Sequence, residues 1–309
     1  MSKSAVRDRR GKNRGKQRVR YAVVGLGHIA QVAVLPGFAN AKNSTLAALV
    51  SGDAKKLAKL GKKYRVPLIY GYDRYEECLR SGEIDAVFIA LPNEQHREYC
   101  VRAAEAGIHV LCEKPLALSM REGEQIVRAA QKNKVKLMTG YRLHFEAANL
   151  STIELVRSGK LGDPRYFTST FSFQLADPSN IRTKRAQGGG ALNDIGVYCI
   201  NAARYLFGSE PTEVFAMSVN QGDRRFREVD ETTSVVLRFP EERVASFTVS
   251  FGASTSGRYQ LVGTKGSVVM EPAYEYAHPL RQIITIDDKS REKTFPLNDQ
   301  FGGEIEAFS

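Results

Sequence analysis

Gly25-Leu26-Gly27-His28-Ile29-Ala30 has the spacing G-x-G-x-x-A. The strand-like run Tyr21-Ala22-Val23-Val24 precedes it, and an apolar stretch reaching Phe38-Ala39 follows. Between a strand and a helix, this spacing serves dinucleotide binding. Gly25 permits the tight turn, Gly27 lets the backbone approach a pyrophosphate, and Ala30 lets helix and strand pack closely. The helix N-terminus then faces phosphate charge, with Leu26, His28 and Ile29 in the turn beside it. The next strand-like run, Leu46 to Val50, ends on Ser51, where an acidic side chain would hold a ribose 2′-hydroxyl. Ser51-Gly52-Asp53-Ala54-Lys55-Lys56 offers instead a hydroxyl and two ammonium groups. These suit a 2′-phosphate and predict NADP in preference to NAD, chiefly through Ser51 and Lys56. Asp53 is the exception in this loop, since it suits ribose hydroxyls and hence NAD.

The elements around this motif predict a parallel, doubly wound sheet. Helical patterns at Ala54–Tyr64, Glu94–Ala106 and Ser119–Lys132 alternate with strand-like runs at Pro67–Tyr70, Asp85–Leu91, His109–Cys112 and Val135–Thr139. Ligands of such sheets sit beyond the carboxyl ends of the strands. That rule brings Ser51, Leu91-Pro92-Asn93 and Glu113-Lys114-Pro115 to one site. After Tyr141 the pattern changes. One helix is expected over Glu146–Arg157 and another over Asn193–Leu206, the latter preceded by Gly188-Gly189-Gly190. Between and after them lie strand-like segments at Arg165–Leu175, Glu213–Val219, Thr232–Phe239, Val244–Phe251, Tyr259–Gly263, Ser267–Met270 and Ile283–Ile286. Strands in succession with few helices predict an open, largely antiparallel sheet. The expected organisation is α/β: a Rossmann domain over 21–141, then an α+β substrate-binding and oligomerisation domain over 142–309.

Charge is unevenly placed. The 309 residues carry a net charge of +11, yet Lys3, Arg7, Arg9, Arg10, Lys12, Arg14, Lys16, Arg18 and Arg20 face only Asp8 in the first twenty residues. Residues 1–20 are therefore expected to be a basic, disordered arm. No reader element such as a helix-turn-helix pattern accompanies it, so nucleic acid is not an expected partner. Arg9-Arg10 lacks the apolar segment of an export signal, and no run of about 18 apolar residues suggests a membrane helix. Cys78, Cys100, Cys112 and Cys199 are scattered, as are the five histidines, which predicts free thiols, a cytoplasmic setting and no metal.

Taken together, Glu113-Lys114-Pro115 and the run from Gly188 to Tyr198 resemble the Gfo/Idh/MocA oxidoreductase family, and within it the glucose-fructose oxidoreductases and NADP-dependent sugar dehydrogenases. Leu35-Pro36-Gly37-Phe38, Val50-Ser51-Gly52, Pro92-Asn93 with His96, Gly140-Tyr141-Arg142 and Asn201–Gly208 extend the similarity from about Tyr21 to the end of the chain. Relatives continue beyond the stretch Phe301–Ser309, which opens a helix in them, so the sequence reads as C-terminally short of the family.

The resemblance implies hydride transfer between a nicotinamide and a sugar carbon. Such a reaction needs a base for the hydroxyl proton and charge to stabilise the developing oxyanion. Tyr198 would be the base. A free phenol titrates near about 10, so an adjacent cation is required, and the resemblance gives that place to Lys114, with Asp194 holding it. Arg142, Asn193 and His96 are further expected contacts, Arg142 and Asn193 toward substrate and His96 and Arg142 toward cofactor. The family also implies a homodimer or homotetramer through the open face of the second sheet. Dihydrodiol dehydrogenase and anhydrofructose reductase are alternative activities of the same scaffold. A non-catalytic, sugar-responsive NADP-binding regulator is the alternative from another class.

Overall fold

A computed structural model describes residues 18–309. Residues 1–17, most of the expected basic arm, lie outside the described residues. The first sheet contains β1 (Val19–Val24), β2 (Ser44–Val50), β3 (Leu68–Tyr70), β4 (Ala86–Ile89), β5 (His109–Glu113) and β6 (Leu137–Gly140). Its order is β3-β2-β1-β4-β5-β6, every pairing parallel. β1 starts two residues before the expected Tyr21. Arg20 is not an arm residue: Asp85, at the start of the neighbouring strand, binds its guanidinium at 2.8 Å and its backbone N–H at 2.9 Å.

The apolar runs of this sheet are buried on both faces, as parallel strands covered by helices must be. Ala22 and Val24 of β1 enter the core on one side, and Tyr21 and Val23 enter the core on the other. The covering helices are α1 (Leu35–Gly37, continuing a π turn from Ala30), α2 (Ala54–Tyr64), α3 (Tyr75–Arg80), α4 (His96–Glu105) and α5 (Met120–Lys132). The short α3 carries no periodic signal of its own. Tyr75, Cys78 and Leu79 bury it against the sheet.

The second sheet has eight strands: β7 (Pro164–Ser172), β8 (Glu213–Val219), β9 (Thr232–Phe239), β10 (Arg243–Ser250), β11 (Ser256–Gly263), β12 (Gly266–Met270), β13 (Leu280–Ile286) and β14 (Lys289–Phe295). Their order is β14-β13-β12-β11-β7-β10-β9-β8. All pairs are antiparallel except β7 with β10. β14 was not legible as a strand, because its Lys-Ser-Arg-Glu-Lys-Thr run lies exposed at the sheet edge. Helices α6 (Ala147–Arg157) and α7 (Val197–Phe207) cover one face and share its core with Phe167, Phe247, Val249 and Leu261. The other face is open. There Phe215 is 72% and Met217 60% exposed, beside Val236, Val244 and Tyr166.

The last helix, α8 (Gln300–Phe308), follows the second sheet in sequence but packs on the first. Phe301 and Ile305 join the core of β1. Asn40 donates to Asp299 at 2.7 Å, and Asn43 donates to the Glu306 carbonyl at 2.9 Å. Among the described residues, no helix is long and apolar enough to cross a membrane.

Candidate active site

The carboxyl ends of β1, β2, β4 and β5 converge on two adjoining cavities. The smaller, about 300 Å³, is lined by Gly25, Leu26, Gly27, Ser51, Gly52, Asp53, Lys56 and Tyr72, with Ala90, Leu91 and Pro92. Gly25 has φ +93°, and a β-carbon there would stand 2.5 Å from the Ala90 carbonyl oxygen. Only glycine can turn the chain here. A β-carbon on Gly27 would meet nothing within 4 Å. It would point into the open cavity, at the place where a pyrophosphate would lie against bare backbone. This surface fits a dinucleotide.

At the outer end, Ser51 is buried, and its hydroxyl accepts from the Asp53 N–H at 3.2 Å. Asp53 caps α2, accepting from the Lys56 N–H at 3.0 Å, and its other oxygen lies 3.7 Å from the Lys56 ammonium. The carboxylate that could have favoured NAD is thus occupied as a helix cap. That backbone hydrogen bond, ahead of the opposing effect of burial, lowers its pKa. Lys56 lines the cavity and Lys55 does not. Tyr72 was not foreseen. It follows β3 in a one-turn 3-10 helix, and its ring packs over Gly52, 3.1 Å from where a β-carbon would be.

The larger cleft, about 790 Å³, shares Gly27, Ala90, Leu91 and Pro92 with the first and continues past them. His28, Ile29, Asn93, Glu113, Lys114, Arg142, Asp194 and Tyr198 all line it. The Lys114 ammonium donates to Asp194 Oδ1 and to the Asp194 carbonyl, each at 2.8 Å. Arg182 Nε donates to Asp194 Oδ2 at 2.5 Å. Burial opposes the charge on Asp194, but Lys114 and Arg182 outweigh it and hold the carboxyl well below its usual range. Burial likewise opposes the charge on Lys114, and Asp194 reverses the balance, so the ammonium pKa is raised. Lys114 Nζ and the Arg142 guanidinium each lie 5.1 Å from the centre of the Tyr198 ring.

Asp194 and Tyr198 owe their common aspect to a π turn, Leu192–Gly196, that runs into α7. Such turns often occur at functional sites. The glycine triplet before it has a packing reason. A β-carbon on Gly189 would collide with the carbonyl of Arg182, and the Gly190 N–H donates to that carbonyl at 2.9 Å. Gly189 thus lets the loop bearing Arg182 lie against the helix start.

Two expected contacts do not reach the cleft. His96 is fully buried, with Nδ1 2.8 Å from the Pro115 carbonyl and Nε2 3.0 Å from the Leu91 carbonyl. Burial, the larger effect, lowers its pKa against both carbonyls. It ties the ends of β4 and β5 together and touches no ligand space. Asn193 is exposed, and its amide donates to the Gly189 carbonyl at 3.1 Å. One residue out of phase with Asp194 on the π turn, it faces away. Arg142 lines the cleft but is held from behind by the Tyr274 carbonyl at 2.7 Å and Gln300 Oε1 at 2.5 Å. Asn93 donates to the Gly188 carbonyl at 3.1 Å, joining the two halves of the cleft.

Arg182 and an aromatic wall of Phe171, Phe173, Tyr274 and Tyr276 were not foreseen. Phe171 and Tyr274 stack at 4.9 Å. Alternation along β7 marks Phe171 as inward-facing, but Tyr274 and Tyr276 sit in a loop with no periodicity. Among the described residues, no three His, Cys, Asp or Glu side chains gather as a metal site.

Behind the cleft, Glu304 of α8 is fully buried, and neither carboxyl oxygen has a hydrogen-bond partner. Burial, with Glu113 nearby, pushes its pKa well up, and only Arg142 opposes the shift. Burial also raises Glu113, against Lys114 and Arg142. A raised carboxyl pKa stabilises the fold fully below the unfolded value, and that stability is lost as pH rises through the folded value. Glu304→Gln keeps the shape without an ionisable group. The variant is expected to match wild type near pH 4 and to be more stable above it, by a margin that grows with pH. Urea midpoints across pH 4–9 measure this, and a constant difference would contradict it.

Residues 19–141 match the family model described as "Oxidoreductase family, NAD-binding Rossmann fold", and residues 151–269 match "GFO/IDH/MocA C-terminal domain". The chain is similar to the crystal structure of aldose-aldose oxidoreductase from Caulobacter crescentus complexed with glycerol. The TM-score is 0.91 and identity 36%, over 94% of this chain and 88% of that one. It is 31% identical to D-xylose 1-dehydrogenase (NADP(+)) 2 of Haloferax volcanii, over 94% of this chain and 87% of the relative. KijD10, a 3-ketoreductase from Actinomadura kijaniata solved with NADP and TDP-benzene, matches with a TM-score of 0.85 and 26% identity, over 94% of this chain and 89% of that one.

Proposed function

The chain belongs to the Gfo/Idh/MocA oxidoreductase family, and we propose that it is an NADP-dependent sugar oxidoreductase, oxidising an aldose at C1 to its lactone or running the reverse reaction. The observation that carries this reading is the continuity of the two cavities, which share Gly27, Leu91 and Pro92. One extended ligand spans from Ser51 and Lys56 to Lys114, Asp194 and Tyr198. The NADP named for the xylose dehydrogenase and the aldose named for the Caulobacter enzyme support the two halves of the reading.

A bound nicotinamide supplies a hydride acceptor at C4 of its ring. In the oxidative direction Tyr198 takes the proton of the reacting hydroxyl, and Lys114 stabilises the oxygen as charge develops on it. Asp194 holds the Lys114 ammonium in place. The aromatic wall covers the apolar faces of the sugar and keeps water from the reacting carbon. Tyr198→Phe keeps the ring and removes the proton carrier. Turnover with a responsive aldose is expected to fall by roughly 10²–10⁴-fold, with NADP affinity held. Lys114→Met falls at least as far, and the double variant is expected to add little. Normal turnover in Tyr198→Phe would move the base elsewhere.

Cofactor preference rests on the Ser51–Lys56 end. Lys56→Ala is expected to weaken NADP and leave NAD nearly unchanged, as read by fluorescence titration of both cofactors. Equal losses for the two would remove the 2′-phosphate role.

The open face of the second sheet supports a homodimer or homotetramer. Phe215 and Met217 are large, apolar and contiguous with Val236, a patch of the kind that marks interaction surfaces. Light scattering is expected to give a dimer or tetramer for the wild type and a smaller species for Met217→Lys. A monomeric wild type would refute the assembly. The four buried free cysteines support a reducing compartment, the cytoplasm.

A further inference from the structure

Arg182 lies in the loop between β7 and α7, on a 3-10 turn, Ile181–Thr183. Its backbone is fixed from both sides. Asn180 Oδ1 accepts from its N–H at 3.0 Å, and its carbonyl accepts from the Gly190 N–H at 2.9 Å. Its Nε is spent on Asp194, and the residue lines the cleft with its side chain 40% exposed. A guanidinium carries five N–H donors in a rigid plane. Among the described residues, the two terminal amino groups of Arg182 have no hydrogen-bond partner, so a two-pronged donor faces the cleft.

The position of that donor is set by one carboxylate. Lys114 sits on Asp194 Oδ1 and Arg182 on Oδ2. Both cations are anchored on one carboxylate and line one cleft, so a small polyhydroxyl ligand engaged by Lys114 presents its neighbouring hydroxyls on the side that Arg182 serves. The aromatic wall formed by Phe171 and Tyr274 offers an apolar surface in the same cleft. An amphipathic ring with a polar rim and an apolar C–H face matches both features.

We propose that Arg182 is a substrate-binding, specificity-determining residue that holds the hydroxyl on the carbon next to the reacting one, so that the preferred substrates are sugars bearing a free vicinal hydroxyl there. This rests on the reading of the site as a sugar oxidoreductase acting at C1, where the neighbouring hydroxyl is that on C2. A donor built for a substrate hydroxyl discriminates against the analogue that lacks it. A hydrogen bond to a charged group corresponds to roughly ten- to a hundredfold in kcat/KM.

The experiment compares kcat/KM for an aldose and its 2-deoxy analogue with NADP, in wild type, Arg182→Lys and Arg182→Gln. Wild type is expected to prefer the hydroxylated aldose by roughly ten- to a hundredfold. Both variants are expected to narrow that preference, with a larger fall on the aldose than on the 2-deoxy sugar. Arg182→Lys keeps a cation beside Asp194 but not the planar fork, so it separates recognition from charge balance. NADP affinity and melting temperature, measured in parallel, are expected to hold in that variant. A wild type indifferent to the 2-hydroxyl would overturn the proposal. So would variants whose activity falls equally on both sugars, which would make Arg182 only a charge partner of Asp194. Absence of turnover with every aldose tested would instead overturn the reading of the site itself, and the inference with it.

Discussion

One largely buried carboxylate, Asp194, ties together elements from both halves of the cleft. Lys114 comes to it from the end of β5, Arg182 from the loop after β7, and Asp194 itself from the turn before α7. Withdrawing the Lys114 and Asp194 charges from water is costly, and the cost is offset only where geometry is good and each partner is satisfied. Here both carboxylate oxygens are engaged, at 2.8 and 2.5 Å. Loss of either cation would leave Asp194 paired with the other and one of its carboxylate oxygens without its partner. Two cations against one anion also leave the cluster net positive.

Much of the surrounding structure follows from placing this cluster. Gly189 removes the side chain that would keep the Arg182 loop off the helix start, and Gly188 lets the chain pass close to Leu118 and Asn93. The π turn aims Asp194 and Tyr198 at the same space and Asn193 away from it. His96 clamps the ends of β4 and β5, which fixes the segment carrying Lys114. From behind, α8 contributes Gln300 to Arg142, so a helix late in the sequence braces a residue at the end of the first sheet. The fold thereby connects the core of β1 to the rim of the cleft through one short element.

What could be read from the sequence follows from how local each constraint is. The dinucleotide turn is legible because its glycines act within six residues, on backbone reasons that any chain shares. The strands of the first sheet are legible because burial on both faces forces continuous apolar runs. Residues fixed by long-range packing were not. Arg182 is one cation in a polar loop, with nothing in its spacing to mark it until β7 and α7 bring it to Asp194. Tyr72 and Tyr274 are aromatic residues without periodicity. His96 shows the converse: a histidine close to a strand end invites a ligand role, and only its two carbonyl partners and complete burial reveal a clamp. The charged β14 is a strand because β13 pairs with it along its whole length, a property of its neighbour more than of its own composition.

Tyr198 illustrates how the two kinds of constraint combine. Its ring is 7% exposed and packs against Phe171 and Tyr274, which on its own describes a core residue. A buried phenol ordinarily finds a hydrogen-bond partner for its hydroxyl. Tyr205 and Tyr259 do so in this protein, both donating to Asn149, at 3.2 and 3.1 Å. The Tyr198 hydroxyl has no such partner among the described residues, although two cations lie 5.1 Å from its ring centre and the residue lines the cleft. Packing therefore holds the ring while leaving the oxygen uncommitted. Such an oxygen is free to bond with whatever enters the cleft. The ring is thus held as a core residue is held, while the hydroxyl stays without a partner among the described residues.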